Sequence, residues 1–176
     1  MVNSKTSAAL LLAMVLLGSA GLGALMQVGP DPSRVVADHA TSAYAPGVLP
    51  DPKLTPGDML LVTAKDVCVA GYSKSVRNVP ENIKRAVYRE YGIRSHKAGE
   101  FEVDHLISLE LGGSNSIKNL WPESYLSKPW NAHMKDMLEN RLHAEVCAGK
   151  ITLSDAQNAI ATDWVKAYVT RFGQAK

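Results

Sequence analysis

Residues 101–124, FEVDHLISLELGGSNSIKNLWPES, combine side chains whose types and spacing suit hydrolytic chemistry. Asp104 directly precedes His105, a Gly-Gly pair follows at 112–113, and Asn119 lies fourteen residues after the histidine. A neutral imidazole, whose ordinary pKa is close to neutrality, can take a proton from water at physiological pH. Asp104 supplies the hard oxygen ligand that a divalent cation such as Mg²⁺ prefers. The pair therefore suits attack of an activated water on a phosphodiester beside a metal ion.

The frame DH-x6-GG-x5-NL, followed along the chain by His133, resembles the HNH endonucleases over about residues 101–143. That resemblance implies a ββα-metal core, made of a β-hairpin and a helix around one cation. It also implies that His105 is the general base, that Asp104 is a metal ligand and that Asn119 holds the hairpin loop. His133 would be the ligand from the helix. The implied cofactor is a divalent metal ion, with Mg²⁺ first and Mn²⁺, Zn²⁺ or Ni²⁺ as alternatives, and the implied substrate is DNA, with RNA as an alternative.

The chain departs from the commonest HNH pattern in the identity of the second metal ligand. In most HNH sequences the helix residue follows the asparagine closely within a Cys-rich zinc-binding run, whereas His133 lies fourteen residues after Asn119 and no CxxC occurs. Asn131 and Asp136 are therefore alternative ligands, and a solvated helix histidine is the alternative interpretation of His133. Lys135, early in the same predicted helix, is expected to act in catalysis by placing positive charge beside the phosphate.

Hydrophobic periodicity predicts the elements that must position these residues. Residues 101–111 alternate loosely and SIKNLWP returns as a second strand that Pro122 should stop, which predicts a β-hairpin with a loose turn. From about Pro129 the apolar residues are spaced by four, which predicts a helix that ends at Gly149. The fold class predicted is α+β, with a ββα-metal hairpin-plus-helix core, flanking helices and a short N-terminal strand region.

The flanking segments show three further patterns. Residues 58–72 are apolar and β-branched, which predicts one or two strands. Between Pro80 and Gly92 a helix of about three turns is expected, with Lys84, Arg85 and Arg89 on its outer side. Residues 152–172 predict another helix, which begins with Ser154 and Gln157 as a capping box.

The N-terminal third of the chain predicts export. Residues 1–26 read as a signal peptide, because one positive charge precedes an apolar run and a small-residue tail. Since the apolar stretch at 8–28 approaches the ~20 residues that span a bilayer, an uncleaved membrane anchor is the alternative. Residues 27–56 are Pro-rich and predict a disordered linker, which leaves 57–172 as the nuclease domain. The expected location is secreted or extracytoplasmic.

Cysteine content and net charge limit the remaining alternatives. Cys68 and Cys147 are the only cysteines, and in an exported protein such a pair predicts a disulfide, with two free thiols as the alternative. The net charge of +2 is small, so contact with nucleic acid must come from a local patch. A disulfide-stapled extracytoplasmic nucleic-acid-binding module without catalysis is the competing function. A zinc peptidase is disfavoured because no HExxH occurs.

Overall fold

The computed structural model describes residues 48–174, in which five helices flank a two-stranded antiparallel sheet. The elements, in chain order, are α1 Ala64–Val67, α2 Tyr72–Val76, α3 Glu81–Glu90, β1 Phe101–His105, β2 Leu120–Ser124, α4 Ala132–Cys147 and α5 Leu153–Phe172. This mixed arrangement is compatible with the predicted α+β class, while the ββα-metal core stays a prediction. None of the helices formed by residues 48–174 is long and apolar enough to cross a membrane.

The start of the folded region lies earlier than the sequence predicts. Val48 and Thr55 are buried, and the Thr55 hydroxyl donates to the Leu120 carbonyl at 2.8 Å. Residues 48–56 therefore pack against the domain, although their prolines predicted a linker; a few buried side chains suffice to order so short a segment. The expected signal or anchor at 1–26, and the linker from 27 to 47, lie outside the described residues.

The predicted hairpin is present, but its connection differs from the expectation. β1 pairs with β2 from Phe101↔Ser124 to His105↔Leu120. Residues 106–111 do not extend β1, and 3-10 turns at Leu109–Leu111 and Ile117–Asn119 form part of the connection. Pro122 does not stop β2, since it pairs with Val103 inside the strand. Proline is tolerated there because each strand of a two-stranded sheet is an edge strand and needs partners on one side only.

The strands predicted at residues 58–72 are wrong. Apart from an isolated bridge between Met59 and Gly113, this segment carries the short helices α1 and the start of α2. Thr63 and Asp66 form a capping box at the start of α1, in which the Thr63 amide donates to the Asp66 carboxylate at 2.7 Å. Apolar β-branched residues favour a strand only where a neighbouring strand can pair with them, and within residues 48–174 no strand pairs with this segment.

The predicted helices are present as α3, α4 and α5, with one correction at an end. The capping box of α5 consists of Thr152 and Asp155 rather than Ser154 and Gln157, so the cap lies two residues earlier than predicted, while the helix itself occupies nearly all of the predicted range 152–172. Gln157 instead donates through Nε2 to the Leu111 carbonyl at 2.8 Å, which joins α5 to the hairpin connection. Inside α5 the backbone leaves helical values at Asp163.

The core lies between α4, α5 and the hairpin connection, and a disulfide closes one end of it. Leu138, Leu142 and Trp164 are completely buried, and burial of each such side chain contributes roughly 1.5–3 kcal/mol. The expected disulfide is present between Cys68, just after α1, and Cys147, at the end of α4, with a Cα–Cα distance of 5.6 Å. Because it closes a long loop, it can stabilise the fold by about 4 kcal/mol.

Candidate active site

Asn119 holds the chain that leaves β1. Its side chain is fully buried, and its Oδ1 accepts from the Ile107 amide at 3.0 Å. Its Nδ2 donates to the carbonyls of Ile107 and Ser114, each at 2.9 Å. Because Oδ1 also accepts from the Asp58 amide at 3.5 Å, this one side chain satisfies four backbone groups. The loop-holding role expected of Asn119 requires such contacts, and they fix the main chain that follows His105.

The Gly-Gly pair is required by close packing rather than by the turn alone. A Cβ at Gly113 would overlap the Ile107 carbonyl oxygen and lie 2.9 Å from Asn119 Nδ2. Gly112 has φ +78°, a left-handed conformation that favours glycine, and a Cβ there would overlap Val62. The two glycines therefore let the segment between β1 and β2 approach the side-chain amide of Asn119. The residues of the DH-x6-GG-x5-NL pattern thus pack together as one unit.

Lys135 is placed differently from the expectation. Its side chain is completely buried, and its ammonium donates to Asp104 Oδ2 at 2.6 Å and to the His105 carbonyl at 2.8 Å. A third hydrogen bond goes to the Glu139 carboxylate one turn along α4. Since an ammonium has three N–H donors, none is left for a phosphate in this arrangement. Lys135 instead fixes α4 against the Asp104–His105 pair.

A group of buried carboxyls surrounds this lysine. Burial raises the pKa of Glu139 to about 8 despite its contact with Lys135. Burial also raises the pKa of Glu123 on β2 well above its usual value, and the negative charge of Asp104 adds to that shift. For Asp104, burial opposes ionisation, but the Lys135 ammonium outweighs it and holds the pKa of this carboxyl below its usual value. Asp104 is thus the ionised member of the group.

His105 ends β1 and is 2% exposed. Its Nε2 lies 3.2 Å from Asn115 Oδ1. Burial lowers the pKa of the imidazole, and the nearby Asp104 carboxylate only partly opposes this shift. A lowered pKa keeps the ring neutral at physiological pH, which is the state a general base requires.

The candidates for a second metal ligand differ in their surroundings. His133 is exposed on α4 and stacks on Tyr125, with ring centroids 5.1 Å apart. Asn131 caps α4, since its Oδ1 accepts from the Met134 amide at 3.3 Å. Asp136 is exposed as a residue, but neighbouring atoms partly desolvate its carboxyl, and this desolvation together with the Asp104 charge raises its pKa. Asp136 is therefore the candidate whose charge interacts with Asp104, and a pair of carboxylates fits a hard divalent cation.

Two further residues lie near the site, and the sequence left the role of each open. For Glu102 the expectation is a solvated or paired carboxylate, with contact to the metal as the alternative. For the segment GYSKSVR at 71–77 the expectation is solvated basic side chains, with contact to a phosphate as the alternative. Glu102 lies two residues before Asp104, and its pKa is raised by burial and by the Asp104 charge. Arg77, just after α2, is exposed. Its positive charge adds to the burial that lowers the pKa of His105, and it partly offsets the burial that raises the pKa of Asp136. The segment GYSKSVR was basic enough to suggest a phosphate contact, but only the fold brings its arginine to His105.

Outside this site, the part of the chain that the structure describes contains one group with metal-ligand spacing. The sulfurs of Cys68 and Cys147 and a ring nitrogen of His143 all lie within 4.8 Å of one another. The two sulfurs are joined in the disulfide, and His143 Nε2 lies 3.0 Å from the Val67 carbonyl. Because a thiolate is the metal-binding form of cysteine, the oxidised pair does not provide such ligands.

Comparison of the chain with family models, with curated proteins and with solved structures gives no match.

Proposed function

We propose that the chain is an exported, metal-dependent endonuclease of the HNH type that hydrolyses phosphodiester bonds in DNA and, as an alternative substrate, RNA. One observation carries the proposal. A buried histidine whose pKa favours the neutral ring ends β1 beside an ionised aspartate, and Asn119 fixes the chain that follows it. In that arrangement, the residues from which the DH-x6-GG-x5-NL pattern predicts catalysis lie on a main chain that hydrogen bonds hold in place.

The proposed mechanism assigns a separate task to each residue. His105 takes the proton from the attacking water, since its ring is neutral and its position is fixed. Asp104 would hold a divalent cation together with Asp136 or His133, and such an ion, when bound, would supply positive charge that stabilises the charge developing during hydrolysis. Arg77 is exposed, and its two chain neighbours are hydrogen-bonded to Asn115, whose side chain also contacts His105. Arg77 is therefore assigned the contact with a phosphate oxygen that was first expected of Lys135.

Export is supported by two features. The first is the disulfide between Cys68 and Cys147, because such bonds persist in oxidising compartments. The second is the apolar run near the N-terminus, which predicts a signal peptide or, at 8–28, a membrane anchor. A location outside the cytoplasm would bring the enzyme into contact with free nucleic acid.

The proposal is tested by incubating the purified protein with supercoiled plasmid and Mg²⁺ or Mn²⁺, with and without a chelator. His105→Ala should bind DNA but cut at least ~100-fold more slowly, the usual scale for losing a general base. Asp104→Ala should regain part of its activity as the metal concentration rises. His96→Ala is the matched control, since His96 is exposed and its ring contacts Tyr88 and Phe101 rather than Asp104 or His105.

Two further variants identify the second metal ligand, and a DNA-binding assay tests the competing function. His133→Ala and Asp136→Ala are compared, and the true ligand should share the metal dependence of Asp104→Ala while the other variant resembles the wild type. A protein that shifts DNA on a gel but leaves it uncut with every metal is a binding module instead. Wild-type cleavage by His105→Ala would remove the histidine from the mechanism.

A further inference from the structure

Asn115 has an amide orientation that the backbone around it determines. Its Nδ2 donates to the Val76 carbonyl at 2.8 Å, and its Oδ1 accepts from the Asn78 amide at 3.1 Å. Rotating the amide by half a turn would face a carbonyl with an oxygen and an N–H with an NH₂ group, so that both hydrogen bonds would be lost. The oxygen is therefore the atom that faces His105.

This orientation determines which ring nitrogen of His105 carries the proton. Asn115 Oδ1 is only an acceptor, and His105 Nε2 lies 3.2 Å from it. Nε2 must then be the protonated nitrogen, and in a neutral ring Nδ1 keeps the lone pair. No hydrogen bond from residues 48–174 engages Nδ1, which leaves it free to take up a proton.

We infer that Asn115 is a positioning residue that fixes the Nε2–H tautomer of His105 and thereby makes Nδ1 the atom that accepts the proton from water. The catalytic consequence rests on the proposed nuclease function, but the tautomer does not. In this step the water O–H bond breaks and its proton forms a bond to Nδ1. The hydroxide oxygen forms a bond to phosphorus while the bond from phosphorus to the leaving oxygen breaks, and the leaving oxygen takes a proton from solvent water. Nε2–H then strengthens its hydrogen bond to Asn115 as the ring becomes positive.

Asn115 also has a structural role, which the test must separate from its effect on the His105 tautomer. By bonding to Val76 and Asn78 it also ties the segment that carries Arg77 to the hairpin connection, across 39 residues of sequence. Asn115→Ala removes both the acceptor and the tie. Asn115→Asp keeps the acceptor for His105 and for the Asn78 amide but removes the donor to Val76. A residue that only supports the loop would suffer from both changes, whereas a tautomer-fixing residue tolerates aspartate.

The experiment records two-bond ¹H–¹⁵N correlation spectra of the protein labelled at histidine, at a pH where the rings are neutral. His105→Gln identifies the resonances of His105. In the wild type they should show protonated Nε2 and unprotonated Nδ1, and Asn115→Asp should keep that pattern. Asn115→Ala should show a mixture of the two tautomers. Asn78→Ala is the control, because Asn78 contacts Asn115 through its backbone amide alone.

The outcomes separate the tautomer from the nuclease function. A wild-type ring protonated at Nδ1, or an unchanged tautomer in a folded Asn115→Ala, overturns the inference whatever the cleavage activity. If Asn115→Ala does not fold, the wild-type and Asn115→Asp spectra still decide. A changed tautomer in a protein that never cuts DNA supports the inference and removes the proposed function. If the tautomer and the nuclease function are both confirmed, Asn115→Ala should cut DNA about 10- to 100-fold more slowly, which is the range for residues that orient functional histidines at metal sites. Asn115→Asp should recover most of that loss.

Discussion

Replacing Lys135 by methionine tests whether this buried lysine supports the site. Methionine keeps a similar length but removes the charge, so that Asp104 and Glu139 lose their common cation and the His105 carbonyl loses a donor. Removing one partner of a buried ion pair costs about 3–5 kcal/mol, and an unpaired carbonyl adds roughly 1 kcal/mol. The two carboxylates are 16% and 13% exposed, so solvent offsets part of this cost. We expect a loss of about 3–5 kcal/mol in the free energy of unfolding, out of the 5–15 kcal/mol that is usual for a domain.

The loss should grow with pH. Glu139, with a pKa of about 8, and Glu123 have folded-state pKa values above their unfolded values, so their protonated forms favour folding. That contribution is complete below the ordinary glutamate pKa and is lost as pH rises through the folded value. Without Lys135 these pKa values rise further, and the pKa of Asp104, now held low, rises as well. At acidic pH the carboxyls are protonated and need no cation, so the variant should then approach the wild type.

The assay is urea denaturation of the disulfide-bonded protein at about pH 5, 7 and 9, with the m-value checked for two-state behaviour. Lys150→Met is the control, because Lys150 is exposed and its removal should change the stability by less than about 0.5 kcal/mol. Adding Glu139→Gln to Lys135→Met should recover part of the loss at about pH 9, because at high pH it removes a carboxyl that would otherwise have to ionise beside Asp104 without a cation. A loss under about 1 kcal/mol, or one that does not change with pH, would refute the buried-cation argument.

Three further predictions concern packing, the disulfide and pH. Gly113→Ala should lower the free energy of unfolding by at least about 2 kcal/mol in denaturant titration, because its Cβ would overlap a backbone carbonyl; an unchanged midpoint would contradict that packing. Cys147→Ser should lower the free energy of unfolding by up to about 4 kcal/mol. Mass spectrometry should show that the unmutated protein is lighter by two hydrogens than its reduced form. For Glu145, burial opposes ionisation, but two arginines hold its pKa below the usual value. Its carboxylate therefore stabilises the fold at pH values above the ordinary glutamate pKa, and this contribution is lost as pH falls through the folded-state pKa. Glu145→Gln should therefore cost about 0.5–1 kcal/mol at neutral pH and nothing at low pH, and an equal cost at both would refute the assignment.

The elements that repeat a local pattern were predictable from the sequence. The apolar positions of α3, α4 and α5 recur at helical spacing, and the hairpin follows from two strand-like runs around a Gly-Gly turn. The strands expected at 58–72 failed because β-branched composition does not determine whether a second strand is available. The capping box of α5 was displaced because Thr152 and Ser154 both satisfy the same local rule.

The electrostatic part of the site was not predictable, because it depends on contacts between distant elements. In the sequence Lys135 resembles a solvent-exposed helix residue, and only the packing of α4 against β1 shows that its side chain is buried. Glu123 looked like an ordinary strand residue, and nothing local marks it as 2% exposed. Asn115 lies in a turn cluster where asparagine is common, while the backbone groups that orient it are 37 and 39 residues earlier.

The disulfide between Cys68 and Cys147 encloses 79 residues of sequence separation, which include β1, β2 and the whole connection between them. A protease that cuts the exposed turn near Leu126 would therefore divide the backbone without dividing the molecule. The two pieces would stay covalently joined and would re-form their contacts as an intramolecular event, at an effective concentration on the millimolar scale, of order 10⁻³ M. A nicked protein would migrate as one species until a reductant is added. For a protein exported as proposed, this linkage would convert an otherwise terminal cleavage by an extracellular protease into one that the fold can survive.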